Sequence, residues 1–232
     1  TPEQVKAALT PKTKLVIFSS PCNPTGSVYL REELEAIAEV LKDEDLYILA
    51  DEIYEHINFT EAHASIGSIE GVKEKTITVN GFSKGYAMTG WRLGYMGGPT
   101  ELINACSKIQ GQFTSGATTF SQIAAAWALS EHLHEQDTMK SAFRDRRDLL
   151  IKLMSDIPGI KVNKPQGAFY LFPDVSALIG KSTPSGDLIS NSSDLCEYFL
   201  LEANVALVEG SAFGMENHIR LSYATSQEEL TE

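Results

Sequence analysis

Five side chains of this 232-residue chain combine into a set suited to amine–carbonyl chemistry. Lys84 sits in GFSKG, Asp51 and Tyr54 in ADEIYEH, Asn23 in SPCNPTG and Arg92 in GWRLG. A lysine amine can condense with an aldehyde and, when released, carry a proton as base and then acid. An aspartate beside a pyridine-type nitrogen holds that nitrogen protonated, because an opposite charge favours the charged form. Tyrosine and asparagine can hydrogen-bond a phenolic oxygen, and an arginine offers a planar fork to phosphate oxygens.

The elements around these residues are those of an α/β layer. Thr1-Pro2-Glu3-Gln4 reads as a capped helix start, with proline at the first helical position and a capping box closed by Gln4. Residues 14–19 form a short apolar run typical of a buried strand, followed by a loop dense in turn-formers. A helix over 31–43 shows Leu34, Ile37, Ala38 and Leu41 on one face, although Leu30 is a poor cap. Strands at 47–50, 76–80 and 92–98 follow, then helices at 101–113, 119–135 and 137–156. This order predicts a mainly parallel sheet with helices on both faces, over a large domain of residues 1–156. Pro158-Gly159 marks a change to a smaller α+β domain, residues 157–232. Its expected elements are strand 168–172, helix 193–203 and strands 205–210 and 218–224. Asn23, Asp51, Tyr54 and Lys84 each follow a strand, and Arg92 lies where the chain turns into the next one, the end of an open α/β sheet where ligands bind.

Together these residue types suit pyridoxal 5'-phosphate, which needs a lysine, an acid at its ring nitrogen, donors for its phenolic oxygen and cations for its phosphate. The stretch GFSKGYAMTGWRLG (81–94) resembles the cofactor-attachment signature of class I/II (fold type I) aminotransferases, with Lys84 at the attachment position and Arg92 eight residues on. SSPCNPTG (19–26), ADEIYEH (50–56), PQGAFYLF (165–172) and HIRLSYA (218–224) resemble further segments of that family, in the same order. The overall pattern is most similar to the branch that holds many bacterial aspartate aminotransferases.

The resemblance implies that Lys84 carries the cofactor covalently and moves the proton at the substrate α-carbon, while Arg220 grips the substrate α-carboxylate with Asn23 nearby. It implies a cytoplasmic homodimer that transfers an amino group from an L-amino acid, aspartate foremost, to 2-oxoglutarate. Many members carry a serine three residues before the lysine; here that residue is Gly81, and Ser83 is the nearest hydroxyl for the phosphate. The loop 114–119 is either a plain inter-helix connection or, by resemblance, a part that approaches the neighbouring subunit's site. The family's earlier segments have no counterpart here, so the chain is expected to be a fragment without the N-terminal part and the extreme C-terminus.

Plainer readings exist: Lys84 as a solvated lysine, Asp51 as a cap, Asn23-Pro24 as a turn, Arg92 as a surface ion pair and Arg220 on a wet strand face. Five motifs in register outweigh them. Tyr223 and Phe169 read as core, and Trp91 and Tyr86 either pack near the site or, as the base expectation, join the core. Two other functions share the scaffold: a pyridoxal-phosphate lyase or decarboxylase, and the aminotransferase-like effector domain of a transcription regulator.

Bulk properties narrow the classes. A net charge of -12 argues against nucleic acid or an anionic membrane as partner. No apolar run reaches the roughly 18 residues of a membrane span. Cys22, Cys106 and Cys196 are scattered, which is neither a disulfide framework nor a zinc site and suits a reducing compartment. The five histidines show no metal spacing beyond His132 and His134, which read as solvated, and no metal is expected.

Overall fold

The computed structural model describes residues 1–60, 62–131 and 134–232. They form two compact units, one of Thr1–Cys22 with Val28–Thr138 and the other of Asn23–Ser27 with Met139–Glu232.

The first unit is built on a four-stranded sheet of β1 (Leu15–Ser19), β2 (Tyr47–Asp51), β3 (Thr76–Gly81) and β4 (Gly94–Gly97), in that spatial order. The first three strands are parallel, with Ser19 opposite Asp51 and Asp51 opposite Val79. β4 returns antiparallel, with Gly81 opposite Gly94. Period-two alternation sends Ile48 and Ala50 of β2, with Val16 and Phe18 of β1, into one core. Helix α2 (Arg31–Leu41) lays Leu34, Ile37, Ala38 and Leu41 on the same core, and Val5 of α1 (Pro2–Ala8) packs against it. On the opposite face of the sheet Ile17 is 66% exposed, and Leu15, Tyr47 and Met96 are exposed with it. Helices α3 (Thr100–Phe113) and α4 (Thr119–Ser130) complete the unit, and Phe120, Ile123 and Trp127 of α4 are exposed.

Local signals account for most boundaries. The Thr1 hydroxyl accepts from the Gln4 amide nitrogen and the Gln4 side chain accepts from the chain's amino terminus, the anticipated capping box. At α2, where Leu30 cannot cap, the Glu33 carboxylate accepts from the Leu30 N–H at 2.8 Å and satisfies one of the orphan donors. The strand expected over 92–98 spans only Gly94–Gly97, since Arg92 adopts a left-handed φ of 51° that cannot continue a ladder. Helix 119–135 is shorter than expected. It stops at Ser130 with Glu131 extended, and a new helix α5 (His134–Ser155) starts beyond it. His134 is exposed, while His132 lies outside the described residues.

The second unit holds a three-stranded antiparallel sheet, β5 (Tyr170–Leu171), β7 (Ile219–Ser222) and β6 (Val208–Glu209), in the order β5-β7-β6. Helix α6 (Ser192–Ala203) is capped by the Asn191 side chain, which accepts from Asp194 N–H at 2.9 Å. Its Leu195 joins Val175, Ile189 and Ile219 in a second core. The compact units divide between residues 138 and 139, ahead of the domain change expected at 156–157. Side chains of α5 give the reason. Phe143 stacks on Phe169 at 5.3 Å, and buried Arg147 donates to the Pro165 carbonyl at 3.0 Å. The strand expected over 168–172 is confined to Tyr170–Leu171, because Ala168 takes a left-handed φ of 58° and Gln166 and Gly167 donate to the Gly26 carbonyl instead of a ladder. Tyr223 is fully buried as expected, its hydroxyl donating to the Ala168 carbonyl at 3.2 Å, and burial raises its phenol well above the usual range.

Among the described residues no helix is long and apolar enough to cross a membrane.

Candidate functional site

In the first unit the candidate residues leave the carboxyl ends of neighbouring parallel strands. Asp51 is the last residue of β2, and its Oδ1 accepts from the Ile53 N–H at 3.1 Å, an Asx turn that folds the chain directly beyond the strand. Tyr54, one residue further, is buried. Lys84 follows β3 by three residues and is half-buried, its Nζ 5.9 Å from the centroid of the Tyr54 ring. The loop that carries it is held by its own backbone: Ala87 N–H donates to Lys84 O at 3.1 Å and Met88 N–H to Phe82 O at 3.1 Å.

Two glycines set this loop against its neighbours. A Cβ on Gly81 would lie 3.0 Å from Gly94 Cα and 3.1 Å from Leu93 O, so the serine that the family signature carries there would need β3 and β4 to part by a few tenths of an ångström. Ser83, half-buried, is the nearest hydroxyl before the lysine. A Cβ on Gly85 would lie 2.5 Å from His56 Cδ2 and 3.0 Å from His56 Cβ. His56 is pinned by the Tyr86 ring at 5.3 Å and by Glu55 at 3.3 Å. Gly85→Ala is therefore expected to destabilise the protein by about 1–3 kcal/mol through overpacking. A denaturant midpoint equal to the parent's would show that the contact yields freely.

Arg92 is exposed at the head of β4, and its Nη1 donates to Thr89 O at 2.8 Å. It lines a hollow with Ala87, Gly90, Trp91, Thr118, Phe120 and Ser121, whose floor is fixed by the buried Ser121 hydroxyl donating to Trp91 O at 3.1 Å. Trp91, expected in the core, is 43% exposed, because the turn Thr89–Trp91 lifts it to the rim of this hollow.

Asn23 and Arg220 meet in the second unit. Arg220 Nη1 donates to Asn23 Oδ1 at 2.9 Å across 197 residues of sequence. The loop 23–27 is stapled there by three further features. Asn163 Nδ2 donates to Thr25 O at 2.8 Å, Gln166 and Gly167 donate to Gly26 O at 2.8 and 2.9 Å, and Gly26 holds a φ of +67°. A Cβ on Gly26 would fall 2.4 Å from Pro165 Cβ, so only glycine fits there. Asn163 carried no signal in the sequence beyond its type, and its role comes from the loop it binds.

A second group beside Asp51 and Tyr54 was not foreseen. Buried Glu52 accepts from His63 Nε2 at 3.0 Å, and Glu52, Glu55 and His63 bring their polar atoms within 4.8 Å of one another. Burial pushes the Glu55 carboxyl up, but the His56 hydrogen bond, the His56 and His63 charges and the Asn80 hydrogen bond together bring it below its ordinary value. The three cysteines form no disulfide.

A mixed, mostly parallel sheet with a lysine loop after one strand and an acid at the end of the next is the frame of the class I and II aminotransferases. The chain belongs to that family, whose model matches residues 1–232. It is 50% identical over 230 residues to the bifunctional aspartate aminotransferase and glutamate/aspartate-prephenate aminotransferase of Petunia hybrida, covering 97% of this chain and 48% of that protein. It is 44% identical to the aspartate/prephenate aminotransferase of Cereibacter sphaeroides, covering 100% of this chain and 59% of that protein. The crystal structure of the aspartate aminotransferase from Rhizobium meliloti superposes with a TM-score of 0.95 at 42% identity, over 100% of this chain and 58% of that one. The chain thus spans about half to three-fifths of the length of the relatives it matches.

Proposed function

We propose that this chain supplies the lysine-bearing part of a pyridoxal-phosphate-dependent transaminase that moves an amino group from aspartate, or a similar L-amino acid, to 2-oxoglutarate. The observation that carries the reading is the departure of Asp51, Tyr54 and Lys84 from the carboxyl ends of adjacent parallel strands, with the Lys84 amine 5.9 Å from the Tyr54 ring. This donor set fits the cofactor: a carboxylate for a ring nitrogen, a phenol for its ring oxygen, a half-buried amine for its aldehyde, and Arg92 with Ser83 for its phosphate. The bound cofactor supplies an electron sink that stabilises negative charge at the substrate α-carbon.

In this reading the residues divide the work. Asp51 keeps positive charge on the ring nitrogen, which deepens the sink. Tyr54 would hydrogen-bond the phenolic oxygen and orient the ring. The Lys84 amine would take the proton from the substrate α-carbon and hand it back, as base and then acid. Arg220 grips the substrate α-carboxylate, with Asn23 Oδ1 on one of its N–H groups. The working form in this reading is a cytoplasmic homodimer. The names of the relatives, aspartate and aspartate/prephenate aminotransferases, support aspartate as donor.

The test is an absorbance scan of the full-length protein with pyridoxal phosphate and then with aspartate. The expected result is a visible band of covalently bound cofactor that bleaches to that of the aminated cofactor, with oxaloacetate released in step. A band that ignores every amino acid offered would sink the transaminase reading.

A further inference from the structure

Arg220 lies on the face of β7 opposite the core, since Ile219 is buried in the second core and Leu221 packs against it. Two aromatic rings lie against its guanidinium there. The Arg220 Cζ is 4.5 Å from the centroid of Tyr170, on the adjacent strand β5, and 5.1 Å from that of Phe213. Phe213 is itself fixed. Its ring meets Phe172 edge-on at 5.7 Å, and Phe172 stacks on His218 at 5.0 Å. The single turn Gly210–Phe213 that carries it is closed by Met215 N–H donating to Gly210 O at 2.9 Å. A Cβ on Gly210 would fall 2.1 Å from Met215 O, so this turn tolerates no side chain at its start.

Both rings attract the guanidinium through the negative face of their π quadrupole. Asn23 takes one donor at the edge. Holding the long side chain this way removes, before any ligand arrives, rotamer freedom that an unheld arginine would lose on binding. We propose that Phe213, together with Tyr170, is a positioning residue that presets the Arg220 fork and thereby sets the affinity for the substrate α-carboxylate. This rests on the reading of Arg220 as the α-carboxylate holder. Neither ring is a catalytic residue.

The experiment uses the full-length holoprotein and compares Phe213→Leu, Phe213→Tyr and Arg220→Lys. Three quantities are read: KM for aspartate, kcat, and the dissociation constant of succinate, an unreactive dicarboxylate, by calorimetric titration. Phe213→Leu is expected to raise both KM and the succinate constant by roughly 3- to 30-fold, the span of a cation–π contact, with a much smaller change in kcat. Phe213→Tyr, which keeps the ring, restores both. Should the leucine variant not fold, Phe213→Met removes the ring at similar volume and takes its place. If Arg220→Lys weakens succinate but the ring-less variants do not, Phe213 is ordinary packing and the proposal falls while Arg220 stands. If Arg220→Lys leaves succinate affinity unchanged, the Arg220 reading fails and the proposal with it. A loss in the ring-less variants that tyrosine does not restore also overturns it.

Discussion

Lys84→Ala in the full-length protein is expected to abolish the visible band of covalently bound cofactor and to reduce transamination by at least about 10⁴-fold. Proton transfer by a positioned side chain alone accounts for roughly 10²–10⁴-fold, and the same substitution also removes the covalent attachment. The fold should survive, because Lys84 is half-buried and its loop is held by backbone bonds that alanine keeps, such as Ala87 N–H to residue 84 O at 3.1 Å. Lys84→Arg sharpens the result. It keeps the positive charge beside Tyr54 but supplies a guanidinium that stays protonated and so is no nucleophile. Both variants should therefore fail alike. An unchanged absorbance band in either would remove Lys84 from the mechanism.

Asp51→Asn is the second large effect. The two side chains have the same shape, and the Asn amide oxygen can still accept the Ile53 N–H that Asp51 Oδ1 now accepts at 3.1 Å. The turn beyond β2 should therefore persist, and the thermal midpoint should change little. What is lost is the negative charge. An aspartate beside a cationic partner typically shifts a pKa by about 1–3 units, so its removal is expected to lower kcat by roughly 10- to 10³-fold. The loss should be read at saturating cofactor, to separate chemistry from weaker cofactor binding. Activity within twofold of the parent would mean that Asp51 serves only as the turn former. Asp51→Ala, which loses both charge and turn, should be worse than Asp51→Asn in stability as well as rate.

The chain's own order of residues was enough for much of this protein. The runs at 14–19, 47–50 and 76–80 are strands, two of them nearly pure apolar, and in the first two Val16, Phe18, Ile48 and Ala50 face the core while Leu15, Ile17 and Tyr47 stay exposed. The Thr1–Gln4 box and the Leu34, Ile37, Ala38, Leu41 stripe are local patterns, and each appears as written. Asp51, Tyr54 and Lys84 were legible for the same reason, since each lies within five residues of a strand end and its position follows from the strand. Tertiary structure alone decided what depends on distant partners. The Asn23–Arg220 hydrogen bond joins residues 197 apart, and no local pattern encodes it. The requirement for glycine at 26 and the tight fit at 81 and 85 come from Pro165, Gly94 and His56, which only folding brings near. The pairing of Glu52 with His63 and the rings against Arg220 are of the same kind. So is the allegiance of α5: the choice of Phe169 and Pro165 as neighbours belongs to packing. Backbone preference and hydrophobic period act over a few residues, whereas steric fit and charge pairing act across whatever the fold places in contact.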